Sequence, residues 1–476
     1  MSYTVYNSHQ FMQNEKKTKK KRKKKEVEYL FAQSAKALDK SVGAAIKGGR
    51  VVARAAPMRR AGEYWEKLGP GLTTGAADND PSGIATYSQA GAQFGTQLIW
   101  TTLFTFPFMA LVQEQAARIG IVSGKGLAAN IRHHYSQKTL ITITVLLFSA
   151  NTLNIAADLN AMSAGARLLI PWLSMETLTI FFALVSLLLQ IFTSYARYSK
   201  YLKYLTLALL SYVITALSIH LNWTEVIQHT LIPSISFTKE QIFLLAAIFG
   251  TTISPYMFFW QTSQEVEEHV LKGETTIKIR QHMVNKTEIR DMRTDVWSGM
   301  FFSNMVAFFI FAAAAGVLYT HGITVATAAD AAQALRPFAG NFAYLLFALG
   351  IIGTGLLAIP VIGGSSAYAV AESFGWRYGL YRKLKQAYAF YGVIIISMVI
   401  GVVANFFHLD PIKGLIYAAV ANGLVAPIIL FFIAHISHDK KVMGKYRSGM
   451  LSTSFMWTTI VIMTLSGIAA VTTLFL

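Results

Sequence analysis

Apolar residues gather into about eleven long stretches, near 72–93, 97–117, 139–166, 175–194, 201–220, 241–263, 297–319, 342–370, 387–407, 413–436 and 452–476. Each is long enough to cross, as a helix, a bilayer whose apolar core is about 30 Å thick. The pattern predicts an all-α integral membrane protein of about eleven transmembrane helices. Two stretches carry polar, proline-containing interruptions: Gly75 through Gly83 in the first, with Asp78, Asn79, Asp80, Pro81 and Ser82, and Gly250 through Tyr256 in the sixth, with Thr251, Ser254 and Pro255. Proline removes a donor and glycine weakens a helix, so both segments are expected to unwind near mid-depth and free carbonyls that lipid cannot satisfy. Breaks five helices apart are the mark of two inverted five-helix repeats with a binding site between them, the eleventh helix being an addition.

Composition agrees with the pattern: 54% of the 476 residues are hydrophobic and 14% charged. The net charge of +18 would fit nucleic-acid binding in a soluble chain. Here it reports topology, and no nucleic-acid partner is expected. The loops expected on one side carry Lys125, Arg132 and Lys138, then Arg197, Lys200 and Lys203, then Lys272 through Arg293, Arg377 through Lys385, and Lys440 through Arg447. The loops expected on the other side, near 168–174, 221–240, 320–341 and 408–412, hold only Lys239 and Arg336 as basic residues. The positive-inside rule therefore puts the N-terminus in the cytoplasm and the C-terminus outside, in a cell membrane. Absence of cysteine excludes disulfides, thiolate metal sites and cysteine nucleophiles. No short apolar leader with a cleavage site opens the chain, and no enzyme motif competes with a transport reading.

Three regions are expected: a basic tail over 1–66, a ten-helix core over 67–437, and an inner loop with the eleventh helix over 438–476. From Lys16 to Lys25 every residue but Thr18 is Lys or Arg, a density that favours disorder. The tail either attracts anionic lipid, at about 1 kcal/mol per basic residue, or is a solvated segment that enforces orientation. Leu30, Leu38, Val42 and Ile46 stand near helical spacing, as in a surface-lying amphipathic helix.

Asp78 and Asp80 carry the sharpest chemistry, since a charge at the bilayer centre costs at least about 2.5–3.5 kcal/mol unless compensated. With Asn79, Ser82, Ser254 and backbone oxygens of the unwound turns they make an oxygen-rich site suited to a hard divalent cation. A structural hydrogen-bonded cluster is the competing reading. No Cys or His stands nearby and Ser254 precedes Pro255, which favours Mg²⁺ first and Mn²⁺ second. Met257 lies close enough to turn inward and supply sulfur.

The run from Gly69-Pro70 through Asp80-Pro81-Ser82-Gly83 to Gln89-Ala90-Gly91-Ala92 resembles the first helix of Nramp divalent-metal transporters, and Ala116-Ala117-Arg118 with Gly124-Lys125 resembles their second. The resemblance covers about residues 68–437 and implies a LeuT-type inverted-repeat fold. Within it, the family's Asp-Pro-Gly-Asn motif falls on Asp80 to Gly83, keeping the metal-binding aspartate and losing the asparagine at Gly83. The methionine position of the Met-Pro-His motif is Ser254, the first histidine position Tyr256 and the later one Gln261. These departures resemble the Nramp-related magnesium transporter branch, which implies a wider site in which Asp78 and Asp80 act partly through water.

Asp158, Tyr256, Met257, Glu265 and Asp295 are candidates for the ion pathway. Both helix-six histidine positions are non-titrating near neutral pH, and helix three keeps one acid, Asp158, with Ile155 one turn earlier, so weak or absent proton coupling is expected. Asp158 either pairs with Arg167 or lines the cavity. Glu265, Glu267 and Glu268 are expected to pair with the basic inner loop, and Asp295 to serve as a cap or salt bridge. His133 and His134 read as solvated loop residues. Rival readings are a proton-coupled Mn²⁺/Fe²⁺ symporter, a sodium-coupled organic-solute transporter, whose carboxylate cargo Asp78 and Asp80 would repel, and a non-transporting sensor or scaffold. The sequence leaves the oligomeric state open.

Overall fold

Every regular element among the described residues, 69–193, 206–407 and 410–475 of the computed structural model, is a helix. Those of seven or more residues are, in order, α1 (Pro70–Asp78), α2 (Pro81–Phe94), α3 (Trp100–Ser123), α4 (Leu127–His134), α5 (Gln137–Arg167), α6 (Met175–Phe192), α7 (Leu210–Ser218) and α8 (Trp223–Leu231). There follow α9 (Lys239–Thr252), α10 (Pro255–Leu271), α11 (Ile277–Met283), α12 (Lys286–Ala314), α13 (Ala343–Phe374), α14 (Tyr388–Asn405), α15 (Pro411–His438) and α16 (Met450–Phe475). The basic stretch from Lys16 to Lys25, the amphipathic candidate from Leu30 to Ile46, and Arg197, Lys200 and Lys203 lie outside the described residues.

Among the described residues eight spans, one of them α9 and α10 taken together, or nine if the pair bent by 116° at α7 and α8 counts as one span, are long and apolar enough to cross a membrane. The remaining expected segments fall short of that measure for visible reasons. The first is divided into α1 and α2, neither of which spans alone. The second, α3, carries Gln113, Glu114, Gln115 and Arg118 in one half.

Both interruptions are narrower than the sequence predicts. Helix geometry persists through Gly75 to Asp78, and only Asn79 and the extended Asp80 (φ −68°, ψ 171°) depart before Pro81 opens α2. Likewise Gly250 to Thr252 stay helical, and only Ile253 and Ser254 depart before Pro255 opens α10. Proline disfavours helical geometry at the residue before it and suits the first helical position, so both helices restart at a proline; Pro107, Pro360 and Pro427 lie inside unbroken helices, so proline alone does not make a break. The glycines serve packing instead. A β-carbon on Gly75 would strike the backbone of Gly299 in α12, and one on Gly250 would strike the Ala419 carbonyl in α15. Without a hydrophobic drive between helices in lipid, such backbone-to-backbone approach is what holds them together.

The packing repeats with the halves exchanged. The first broken segment lies along α12, the seventh expected span, while α10 of the sixth lies along α3, the second span. Spans three and eight, α5 and α13, pack on one another across the centre. Gly75→Val is expected to cost about 1–3 kcal/mol or more, seen as loss of monodisperse protein on size exclusion. Gly392→Ala, whose β-carbon meets nothing within 4 Å, is expected to leave yield and melting temperature unchanged; equal behaviour of the two variants would contradict this packing.

Candidate metal centre

Asp80 is placed by its own helix. As N-cap of α2 it turns Oδ1 back to accept from the Gly83 amide at 2.8 Å and from Ser82 Oγ at 2.7 Å. This satisfies a donor that every helix start leaves open. Oδ2 faces the other way and is held more loosely, by Asn154 Nδ2 of α5 at 3.2 Å and the Tyr256 hydroxyl of α10 at 3.4 Å. Asp80 is 1% exposed. One oxygen is therefore committed to the fold, while the other points at the junction of α2, α5 and α10.

The remaining groups close round it. Ser82 Oγ lies 3.1 Å from Thr251 Oγ1, which joins the two breaks directly. Asn154 Nδ2 also donates to Asp158 Oδ2 at 3.3 Å, so one amide serves two carboxylates, and its own oxygen accepts from Asn422 Nδ2 of α15 at 3.1 Å. On the opposite side, Asp78 Oδ2 accepts from Ser303 Oγ of α12, and Asn79 Nδ2 donates to the same hydroxyl at 3.1 Å. Asp78 Oδ1, Asp158 Oδ1 and Asn422 Oδ1 are buried acceptors without a hydrogen-bond partner. Among the described residues no Lys, Arg or His forms an ion pair with Asp78, Asp80 or Asp158. Nor do three or more His, Cys, Asp or Glu side chains gather closely enough to hold a metal ion by themselves. Neutral oxygens and water must then fill out any cation's shell, as suits an ion that keeps part of its hydration.

The expected residues divide into those that meet and those that do not. Asp80, Ser82, Gly83, Thr251, Tyr256 and Asp158 belong to one hydrogen-bonded network, and Asp78 and Asn79 to the adjoining one on Ser303. Ser254 turns its hydroxyl to the Gly250 and Thr251 carbonyls, at 2.9 and 2.8 Å, satisfying acceptors freed by the break. Gln261 does not bond Asp80. It accepts from Thr74 Oγ1 at 2.6 Å and donates to Glu265 at 2.8 Å, a second polar strand between α1 and α10. Met257 is fully buried in the apolar core.

Several acids differ from expectation. Asp158 bonds Asn154 rather than Arg167. Of the three glutamates after the sixth break only Glu268 makes an ion pair, with Lys272 at 3.2 Å. Glu265 bonds the neutral Gln261, and Glu267 accepts from the Tyr368 hydroxyl and from the Leu380 amide of the basic loop, a backbone donor taking the place of a basic side chain. Asp295 is a cap, as expected, but of another helix: it accepts from the amides of Gly69, Gly71 and Leu72 at 2.9, 2.6 and 3.1 Å and anchors the start of α1.

Sequence reasoning passed over Asn422, Ser303 and Glu372. Asn422 and Ser303 are polar residues inside apolar stretches, a signal available but weak. Glu372 accepts from the Ala129 amide at 3.1 Å and Ser263 at 3.2 Å.

Two broken helices facing each other across a buried acidic cluster define a membrane transporter of the LeuT type. The sequence profile of the family described as "Nramp: Natural resistance-associated macrophage protein-like" matches residues 71–473. The chain belongs to the Nramp family, and the match runs through α16 rather than stopping near 437. Its fold is similar to that of the Eremococcus coleocola manganese transporter, as a mutant (TM-score 0.64) and in complex with an aromatic bis-isothiourea substituted compound (TM-score 0.65); in both cases identity is 16% and 84% of each chain is covered. The inward-facing conformation of Mhp1 is similar at a TM-score of 0.50, with 13% identity over 85% of this chain and 90% of the other.

Removing the Asp295 cap is expected to cost about 0.5–2 kcal/mol. Asp295→Ala should speed hydrogen exchange of the Gly71 and Leu72 amides while leaving Gly83 unchanged, whereas unchanged exchange at Gly71 would show that Asp295 does not hold α1.

Proposed function

We propose that the protein carries divalent metal cations across a cell membrane, Mg²⁺ in preference and Mn²⁺ as well, by alternating access with weak or no proton coupling. The N-terminus is cytoplasmic and the C-terminus outside. The observation that carries this reading is the set of buried acceptors: three carboxylates in adjoining networks, two with an unpartnered oxygen, and no cationic side chain paired with them among the described residues. Leaving such groups uncompensated at mid-depth costs several kcal/mol each. A doubly charged cargo offsets that cost, and the loosely held Asp80 Oδ2, Asp78 Oδ1 and Asp158 Oδ1 are the oxygens free to receive it.

Oxygen-only surroundings support Mg²⁺: Ser254 and Tyr256 offer hydroxyls, and Met257 packs with apolar side chains. A hard ion loses nothing from the missing sulfur, while softer metals gain no preferred ligand. An inside-negative potential supplies about 4.6 kcal/mol per 100 mV to a divalent ion, twice the single-charge value, so energetics do not require a co-transported proton. The ordinary proton-coupled Mn²⁺ reading draws support from one observation, the completely buried Asp158 that shares Asn154 with Asp80. A proton there would compensate the charge as a cation does.

Proteoliposomes with an inside-negative potential separate the two. Mn²⁺ uptake is expected to be competed by millimolar Mg²⁺ without acidification of the lumen; insensitivity to Mg²⁺ or acidification in proportion to metal entry would favour the symporter. By calorimetry, Asn154→Ala, which removes a donor from both carboxylates, is expected to weaken cation binding about 10–100-fold, the usual cost of losing an outer partner of a ligand. Asp80→Asn keeps an oxygen for the cap and should fold, yet lose binding. Unchanged affinity in Asp80→Asn would remove Asp80 from the site.

A further inference from the structure

Between α16 and the flank of α3 and α9 lies a cavity of about 360 Å³, within the size range of small-molecule sites. Trp100 and Phe104 of α3, Ile235 ahead of α9, Ile253 at the break after α9, and Met463 of α16 form its walls. The side-chain polar atoms it contains are already engaged. Thr105 Oγ1 donates to Asn304 at 3.3 Å, Thr459 Oγ1 to the Phe455 carbonyl at 2.8 Å, and the Trp100 indole to the Ser234 carbonyl at 3.3 Å. Water entering such a space finds no side chain left to bind, so the cavity suits an apolar guest.

Its position and length select the guest. Phe104 and Ile235 are 40% and 38% exposed on the outside of the bundle, so the cavity opens toward lipid. From Trp100 to Phe108 the α3 wall rises about 12 Å at the usual helical rise. That is close to the roughly 15 Å of hydrocarbon in one leaflet. At one end stands a tryptophan tied to a carbonyl, the arrangement favoured at a membrane interface. At the other end stands Ile253, midway along the broken segment.

We propose that one acyl chain of a phospholipid, from the leaflet at the Trp100 end, occupies this cavity and rests against Ile253. A lipid tail enters without dehydrating any polar group, fits the depth, and fills the space behind the break that would otherwise lack contact partners. The helix outside the ten-helix repeat thereby acquires a role: α16 is the wall that turns the flank of α3 and α9 into a tail-binding site beside the break.

Trp100 reports on occupancy. The protein is reconstituted in phosphatidylcholine vesicles with or without mid-chain bromination, and the Trp100 contribution is taken as the difference between wild type and Trp100→Phe. Most of that contribution is expected to be quenched by the brominated chains, and Ile462→Phe, which fills the cavity, is expected to restore it. Thr459→Ile is the second, milder filling variant should Ile462→Phe fail to fold. Equal emission in both vesicles, or quenching indifferent to the filling variant, would overturn the proposal. So would quenching that vanishes as the protein-to-lipid ratio rises, which would assign the cavity to a second copy of the chain. Cation uptake is not part of the readout, so the outcome is independent of the cargo.

Discussion

Three carboxylates share the buried middle of this protein, and among the described residues no cationic side chain is paired to them. In water their repulsion would be slight; in a low-dielectric interior each unpaired acid is expensive, and proximity compounds the cost. The rest of the core is arranged around that constraint. Proline-set breaks turn two helices so that Asp80 and Thr251 approach through Ser82. The neighbouring spans contribute amides and hydroxyls, Asn154, Asn422 and Ser303, which donate to acidic or amide oxygens without contributing charge. A fold that could have placed an arginine there has instead left these acids without a paired basic side chain among the described residues.

Away from the centre, acids are used differently. Asp295, Glu267 and Glu372 each accept from backbone amides, at the start of α1, at Leu380 and at Ala129 of α4. Such bonds fix where short elements begin and need no countercharge, so these carboxylates anchor segments. At Asp80 the two uses coincide in one residue: Oδ1 caps α2 and Oδ2 faces the cluster. Movement of α2 relative to α5 or α10 would therefore carry Oδ2 with the helix and change its distance to Asn154 and Tyr256.

Much of this was legible in the chain. Apolar stretches placed most helices to within a few residues, although α12 begins at Lys286 rather than near 297 and α10 runs on to Leu271 rather than 263, and the prolines at 81 and 255 located both breaks. Asp78 and Asp80 stood out because charge inside an apolar run is costly. What could not be read was direction. Gln261 occupies a position whose counterpart in the family suggested a ligand, yet five residues beyond Tyr256 it faces Thr74 and Glu265. Gly75 and Gly250 looked like helix weakeners and are contact points, because tight helix packing and helix breaking call for the same residue. The partners of Glu265 and Glu267 depend on helices far apart in sequence, and no local pattern records them.

The central claim is that a divalent cation is held at the buried acids beside the two helix breaks. Anomalous scattering from crystals soaked in Mn²⁺ tests it most directly. The account predicts a single strong peak between the two helix breaks, within coordination or one-water distance of Asp80 Oδ2 and reduced by excess Mg²⁺. A peak confined to surface acids, with none near Asp80, would contradict it.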